Sequence, residues 1–121
     1  MLHLCLMNRF LLFILLSFTC FISSAQILIH SHNDYRQPEP LVNALRCRVF
    51  SIEADVYLVK DSLLIAHERN ELSGAPSLYS LYLQPIIHLF KSNHGRISAD
   101  SNYTPVLMID IKEKGEAVIA E

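Results

Sequence analysis

Two acidic residues two positions apart, Glu53 and Asp55, stand inside Val49 to Val59, a run rich in β-branched and aromatic residues. In a strand, side chains two apart point to one face, roughly 7 Å apart at about 3.3 Å per residue. Carboxylates aimed together into an interior repel and are costly to bury. A divalent cation removes that cost, and an oxygen-only donor set favours Mg2+ or Ca2+. Asp110, inside the strongly apolar run Pro105 to Lys112, is a natural third ligand. The plainer alternative is a half-exposed strand whose acids face solvent. Asp110 and Lys112 within so apolar a segment weigh against it.

His32 and His67 complete a chemistry. Cleaving a phosphodiester needs a base for the nucleophile and an acid for the leaving oxygen, and histidine suits both near neutral pH. The cation and Lys112 would hold the non-bridging oxygens. Taken singly, each histidine also fits an ordinary loop or packing residue. His88 and His94 fit that description and receive no role. For Arg46, Arg48 and Tyr57, helix-end and packing readings are at least as good as substrate contact.

The elements that must position these residues follow from the apolar pattern. Gln26 to His30 reads as a short buried strand, and Ser31 to Pro40 as a loop. Leu41 to Cys47 reads as a short helix after Pro40. Val49 to Val59 is a strand, Lys60 to Ser62 a turn, and Leu63 to His67 the return of a hairpin. Leu78 to Lys91 is helical, with Pro85 kinking or restarting it. Ser92 to Thr104 is a polar connection. Pro105 to Lys112 is a strand apolar enough for burial on both faces. Lys114-Gly115 is a turn, and a helix starts at Glu116. This alternation predicts an α/β fold with a parallel sheet. The candidate residues fall at or near the carboxyl ends of its strands, where α/β barrels build their sites.

The string His32-Asn33-Asp34-Tyr35, then Ile52-Glu53-Ala54-Asp55-Val56, then His67-Glu68, then Ile109-Asp110-Ile111-Lys112 resembles the glycerophosphodiester phosphodiesterase and phospholipase-C-like superfamily. It looks closest to the branch called altered inheritance of mitochondria protein 6-like. The resemblance implies a TIM-type (β/α)8 barrel and divalent-metal-dependent phosphodiester hydrolysis on a glycerophosphodiester or phospholipid-type substrate. It implies His32 and His67 as the acid–base pair, Glu53, Asp55 and Asp110 as metal ligands, and Lys112 as a phosphate contact. Typical members carry His-Arg-Gly where this chain has His32-Asn33-Asp34, which puts Asn33 in the place of a phosphate-binding arginine. The third acidic ligand is usually glutamate, whereas here it is the shorter Asp110; sphingomyelinase D relatives also use aspartate.

Ahead of these residues, Arg9, the apolar run Phe10 to Ile22 and the small residues Ser23-Ser24-Ala25 have the order of a secretory signal peptide cleaved after Ala25. Export to the medium, periplasm or cell envelope is therefore expected. Cys20 makes a poor lipidation site, and no run is long enough for a transmembrane helix. Residues 26–121 then form the domain, with Cys47 as its one cysteine and so no intrachain disulfide. Twelve acidic residues against nine basic ones exclude the basic patch of a nucleic-acid binder. A whole barrel takes about 250 residues. This segment supplies three barrel strands and is expected to be an incomplete, amino-terminal part, inactive alone.

Two other readings remain open. His30-Ser31-His32 is a His-x-His after the first strand, resembling the metal site of amidohydrolases and polymerase-histidinol-phosphatase-type barrels. That reading does not call for Glu53-x-Asp55 followed by His67. A secreted pseudoenzyme or binding module would keep the strands without metal affinity.

Overall fold

The computed structural model describes residues 27–113. The proposed leader, and the turn and helix start expected from Lys114 onward, lie outside them. The elements are β1 (His30–Ser31), a 3-10 turn (Asp34–Arg36), α1 (Val42–Arg46), β2 (Ser51–Val59) and β3 (Ser62–Ile65). A second 3-10 turn (Arg69–Glu71), a π-helical turn (Tyr79–Leu83) leading into α2 (Gln84–Ser92), and β4 (Val106–Ile111) follow.

Strand β2 organises the sheet. It pairs parallel with β1 through His30–Ser51 and Ser31–Ile52, and parallel with β4 from Ser51–Val106 to Val56–Ile111. It pairs antiparallel with β3 from Val56–Ile65 to Val59–Ser62. The Asp55 carbonyl accepts from Ala66 N–H, while the next carbonyl, Val56, accepts from Lys112 N–H. Successive carbonyls of a strand point to opposite edges, so β3 and β1 share one edge of β2 and β4 takes the other. Between them, Glu53, Ala54 and Asp55 have no strand partner on the β1 and β3 edge. The mixed, mainly parallel sheet agrees with the expected α/β class.

The period of two along β2 decides what each face carries. Ile52, Ala54 and Val56 are buried among Leu41, Ala44, Leu78 and Tyr82, with Leu107 and Ile111 of β4 packed against them. This is the helix-covered face. Glu53, Asp55 and Tyr57 point the other way and are also buried.

Three local features follow from residue chemistry. Pro85 has no N–H to give to the Leu81 carbonyl, and the turn just before it widens, with Gln84 N–H bonding five residues back to Tyr79 O. The expected kink is thus a register shift. Leu41, at the start of α1, has φ 61°, unusual for a non-glycine residue. Its side chain is buried and its N–H is 2.7 Å from Asp34 Oδ2, which offset the strain. Asn33 has φ 49° and ψ 48°, a left-handed conformation that asparagine tolerates better than most residues.

Two expectations are corrected. The first strand is only His30–Ser31, and Ile27, Leu28 and Ile29 are exposed rather than buried. In β4, Val106, Met108 and Ile109 are exposed, so this strand is not covered on both faces among the described residues. Among the described residues it bonds to β2 alone. An apolar run records a demand for burial, and here the described residues meet it on one side only.

Candidate active site

The polar face of β2 meets the loops after β1 and β3 and the end of β4. Asp55 and Asp110 are direct partners in the parallel β2–β4 register, so their side chains lie on the same face. Glu53 is one pleat back on that face. One ligand atom from each of Glu53, Asp55 and Asp110 can be chosen so that all lie within 4.8 Å of one another. The first two are buried, and the Asp110 side chain is 46% exposed. The acids singled out from the sequence therefore converge.

Asp55 is the hub. Its Oδ2 lies 2.8 Å from His67 Nδ1, 3.0 Å from Lys112 Nζ and 2.9 Å from the Tyr35 hydroxyl. Burial pushes the carboxyl up, but hydrogen bonds from His67, Lys112 and Tyr35 outweigh it and hold the group below the usual carboxylate range. Its other oxygen, Oδ1, is buried without a hydrogen-bond partner among the described residues. A bare carboxylate oxygen in the interior costs free energy, and a cation held with Glu53 and Asp110 would satisfy it. The donor set is all oxygen and fits a hard cation such as Mg2+ or Ca2+.

Lys112 Nζ also lies 2.6 Å from Asp110 Oδ2. The Asp110 and Asp55 carboxylates raise its basicity, so it stays charged. Two of its three N–H donors are engaged, and the third is available to an anion. The Tyr35 hydroxyl is held protonated by burial and by Asp55. It also lies 3.0 Å from Asn33 Oδ1. One proton cannot serve both acceptors at once, and the charged carboxylate is the stronger of the two.

The two histidines differ in how firmly they are held. The bond to Asp55 fixes the His67 ring through Nδ1 and leaves Nε2 outward, 3.9 Å from Glu68 Oε1. The His32 side chain is 67% exposed, with Nε2 3.9 Å from Glu53 Oε1, beyond hydrogen-bond range. His30, which follows β1 in the sequence reading, lies 2.7 Å from Glu53 Oε2. Tyr57 packs beneath, its hydroxyl donating to the His67 carbonyl at 3.3 Å. Arg46 and Arg48 pair with Glu39 and Asp100.

Other supporting residues went unread in the sequence. Glu71 Oε2 accepts the backbone N–H groups of both His67 and Glu68, at 2.9 and 3.1 Å. Its Oε1 takes Arg36 at 2.8 Å, tying the His67 loop to the loop that follows β1. A signal existed: Glu68-x-x-Glu71 has the spacing of a capping box, and both reciprocal bonds form. Asp34 is fully buried and accepts Ser31 Oγ, Leu41 N–H and the Tyr82 hydroxyl at 2.7–2.8 Å. Nothing in its sequence context separates such an aspartate from a ligand.

The mixed α/β sheet thus brings three acids and a lysine together on one polar face, with His67 bonded to Asp55 at its edge. Residues 19–121 match the family model described as AIM6-like phosphodiesterase domain, and the chain belongs to that family. It is similar to the altered inheritance of mitochondria protein 6 homolog of Arthroderma benhamiae, 35% identical over 108 residues, covering 74% of this chain and 34% of that protein. It is also similar to the altered inheritance of mitochondria protein 6 of Eremothecium gossypii, 43% identical over 65 residues (52% and 17%). The namesake from Kluyveromyces lactis is 38% identical over 78 residues (62% and 18%). The matched stretch thus spans about a third of the first relative and less of the others. No solved structure gives a significant match. Among the described residues, no helix is long and apolar enough to cross a membrane.

Proposed function

We propose that this chain carries the catalytic centre of a metal-dependent phosphodiester hydrolase built on the first strands of a TIM-type barrel. The observation that carries the reading is Asp55, with one oxygen engaged by His67, Lys112 and Tyr35 and the other buried and bare. Such a carboxylate joins a cation site to an oriented histidine.

Glu53, Asp55 and Asp110 would hold the cation. When bound, Mg2+ or Ca2+ supplies positive charge against the non-bridging oxygens of the phosphate. Lys112 would add positive charge and an N–H toward the phosphate, with Asn33, beside Tyr35, as a further phosphate contact. His67, held through Nδ1, keeps Nε2 for proton transfer, and His32, exposed on the loop after β1, is the second acid–base group. One histidine takes the proton of the attacking oxygen, from water or a substrate hydroxyl, as it bonds to phosphorus. The other gives a proton to the ester oxygen as the old P–O bond breaks. The substrate proposed is a small or lipid-headgroup phosphodiester, and export of the protein remains part of the proposal.

Full-length protein should hydrolyse bis(p-nitrophenyl) phosphate in preference to p-nitrophenyl phosphate or an anilide. His67→Ala should lower kcat by about 10² to 10⁴-fold with little change in KM. Preference for the anilide or monoester would instead favour the His-x-His hydrolase reading, and inactivity on all three a binding module.

A further inference from the structure

The two-histidine scheme leaves His30 unused, yet its ring is the better anchored of the pair on this loop. His30 stands opposite Ser51 in the parallel β1–β2 register. Its Nδ1 is 2.7 Å from Ser51 Oγ and its Nε2 is 2.7 Å from Glu53 Oε2. Ser51 and Glu53 are two apart on β2 and share a face, so the ring spans one pleat. A carboxylate can only accept, so Nε2 carries the proton; in the neutral ring Nδ1 then accepts from the serine hydroxyl. The carboxylate thereby sets the tautomer, and the serine hydroxyl braces the ring at its other nitrogen.

We propose that His30 is a positioning residue: braced by Ser51, it fixes the rotamer of the Glu53 carboxylate for cation binding. The inference rests on the cation reading of Glu53, Asp55 and Asp110. It differs from direct ligation, because both ring nitrogens are occupied within the protein. Carboxylates that bind metals are held by hydrogen bonds of this kind, and removing the partner commonly costs about 10–100-fold in metal affinity.

Calorimetric titration of the full-length protein with Mg2+, and in parallel Ca2+, tests this without an activity assay. Relative to the unsubstituted protein, His30→Ala should weaken binding about 10–100-fold. His30→Gln, whose amide can return an N–H to Glu53, should recover most of the loss, and Ser51→Ala should weaken binding less than His30→Ala. Circular dichroism checks that each variant is folded. Unchanged affinity in folded His30→Ala, with affinity still lost in Asp110→Asn, would overturn the positioning role while leaving the acidic site intact. Loss in His30→Gln as deep as in Asp110→Asn would make His30 a ligand and also overturn it. No saturable binding of either ion by the unsubstituted protein would overturn both readings.

Discussion

Asp55 concentrates the account into one side chain, because its two oxygens have opposite environments. Oδ2 gathers three donors, and Oδ1 has none. Each donor on Oδ2 helps fix where Oδ1 points. Tyr35→Phe removes one donor and keeps the ring, so it should cost about 1 kcal/mol of folding stability, as a net hydrogen bond does. Cation affinity should fall with it, since Asp55 gains a second rotamer. Urea unfolding with and without Mg2+ measures both; an unchanged midpoint in each condition would mean that the Tyr35 contact does not constrain Asp55. The pairing of Glu53 with Asp55 was legible from the strand period alone, and Asp110 from a charge inside an apolar run. The Tyr35 hydroxyl was not, because a tyrosine in a polar loop gives no sign of which way its ring turns.

At the scale of elements, the β2–β3 hairpin, α1 and the interrupted helix around Pro85 were readable because period and proline chemistry act locally. The extent of β1 and the burial of β4 were not. Ile27 to Ile29 are apolar enough for a strand, but backbone bonding reaches them only where Phe50 and Ser51 N–H groups meet the Ile29 carbonyl. Apolar pattern tells that a segment is suited to burial, and only a packed neighbour decides whether it is buried. The loop bearing His67 depends on Glu71. Backbone N–H groups of Glu68 and His67 hold that carboxyl below its usual range, with Arg36 adding to the effect. A depressed folded value means its contribution is complete above the ordinary carboxylate range, about pH 4, and is lost as pH falls through the lower folded value. The amide resonances of His67 and Glu68 should therefore shift together below about pH 4. In Glu71→Gln, that step should vanish, while the neutral amide still accepts from the backbone. A step surviving in Glu71→Gln would assign it to another group.

For the molecule as a whole, one buried carboxylate ties the site to the core. Asp34 sits in the loop with His32, yet it accepts from Leu41 at the head of α1 and from Tyr82 in the π-helical turn. Tyr82 is fully buried and its hydroxyl is held protonated by burial and Asp34. Tyr82→Phe removes a hydrogen bond to a buried charge and should cost about 1.5–3 kcal/mol, measured by urea unfolding. A loss below about 0.5 kcal/mol would show that water replaces the hydroxyl. The same substitution should lower turnover more than its stability cost alone predicts, because the His32 loop loses one of its fixings. The α/β class was written in the alternation of elements, and the site's residue types were written in the strands. The convergence of the three acids was expected from those strands, whereas the unpaired stretch of β2 between β1 and β3 was not, since it depends on pairings distant in sequence. The proposed function makes Glu53, Asp55 and Asp110 a cation-dependent phosphodiester-cleaving centre with His67. Its most direct test is hydrolysis of bis(p-nitrophenyl) phosphate by chelator-treated full-length protein, before and after addition of Mg2+ or Ca2+, beside Asp55→Asn. Turnover should be lost on chelation and return on addition of the ion, with no return in Asp55→Asn. Turnover that survives chelation, or an Asp55→Asn protein that recovers like the unsubstituted one, would contradict it.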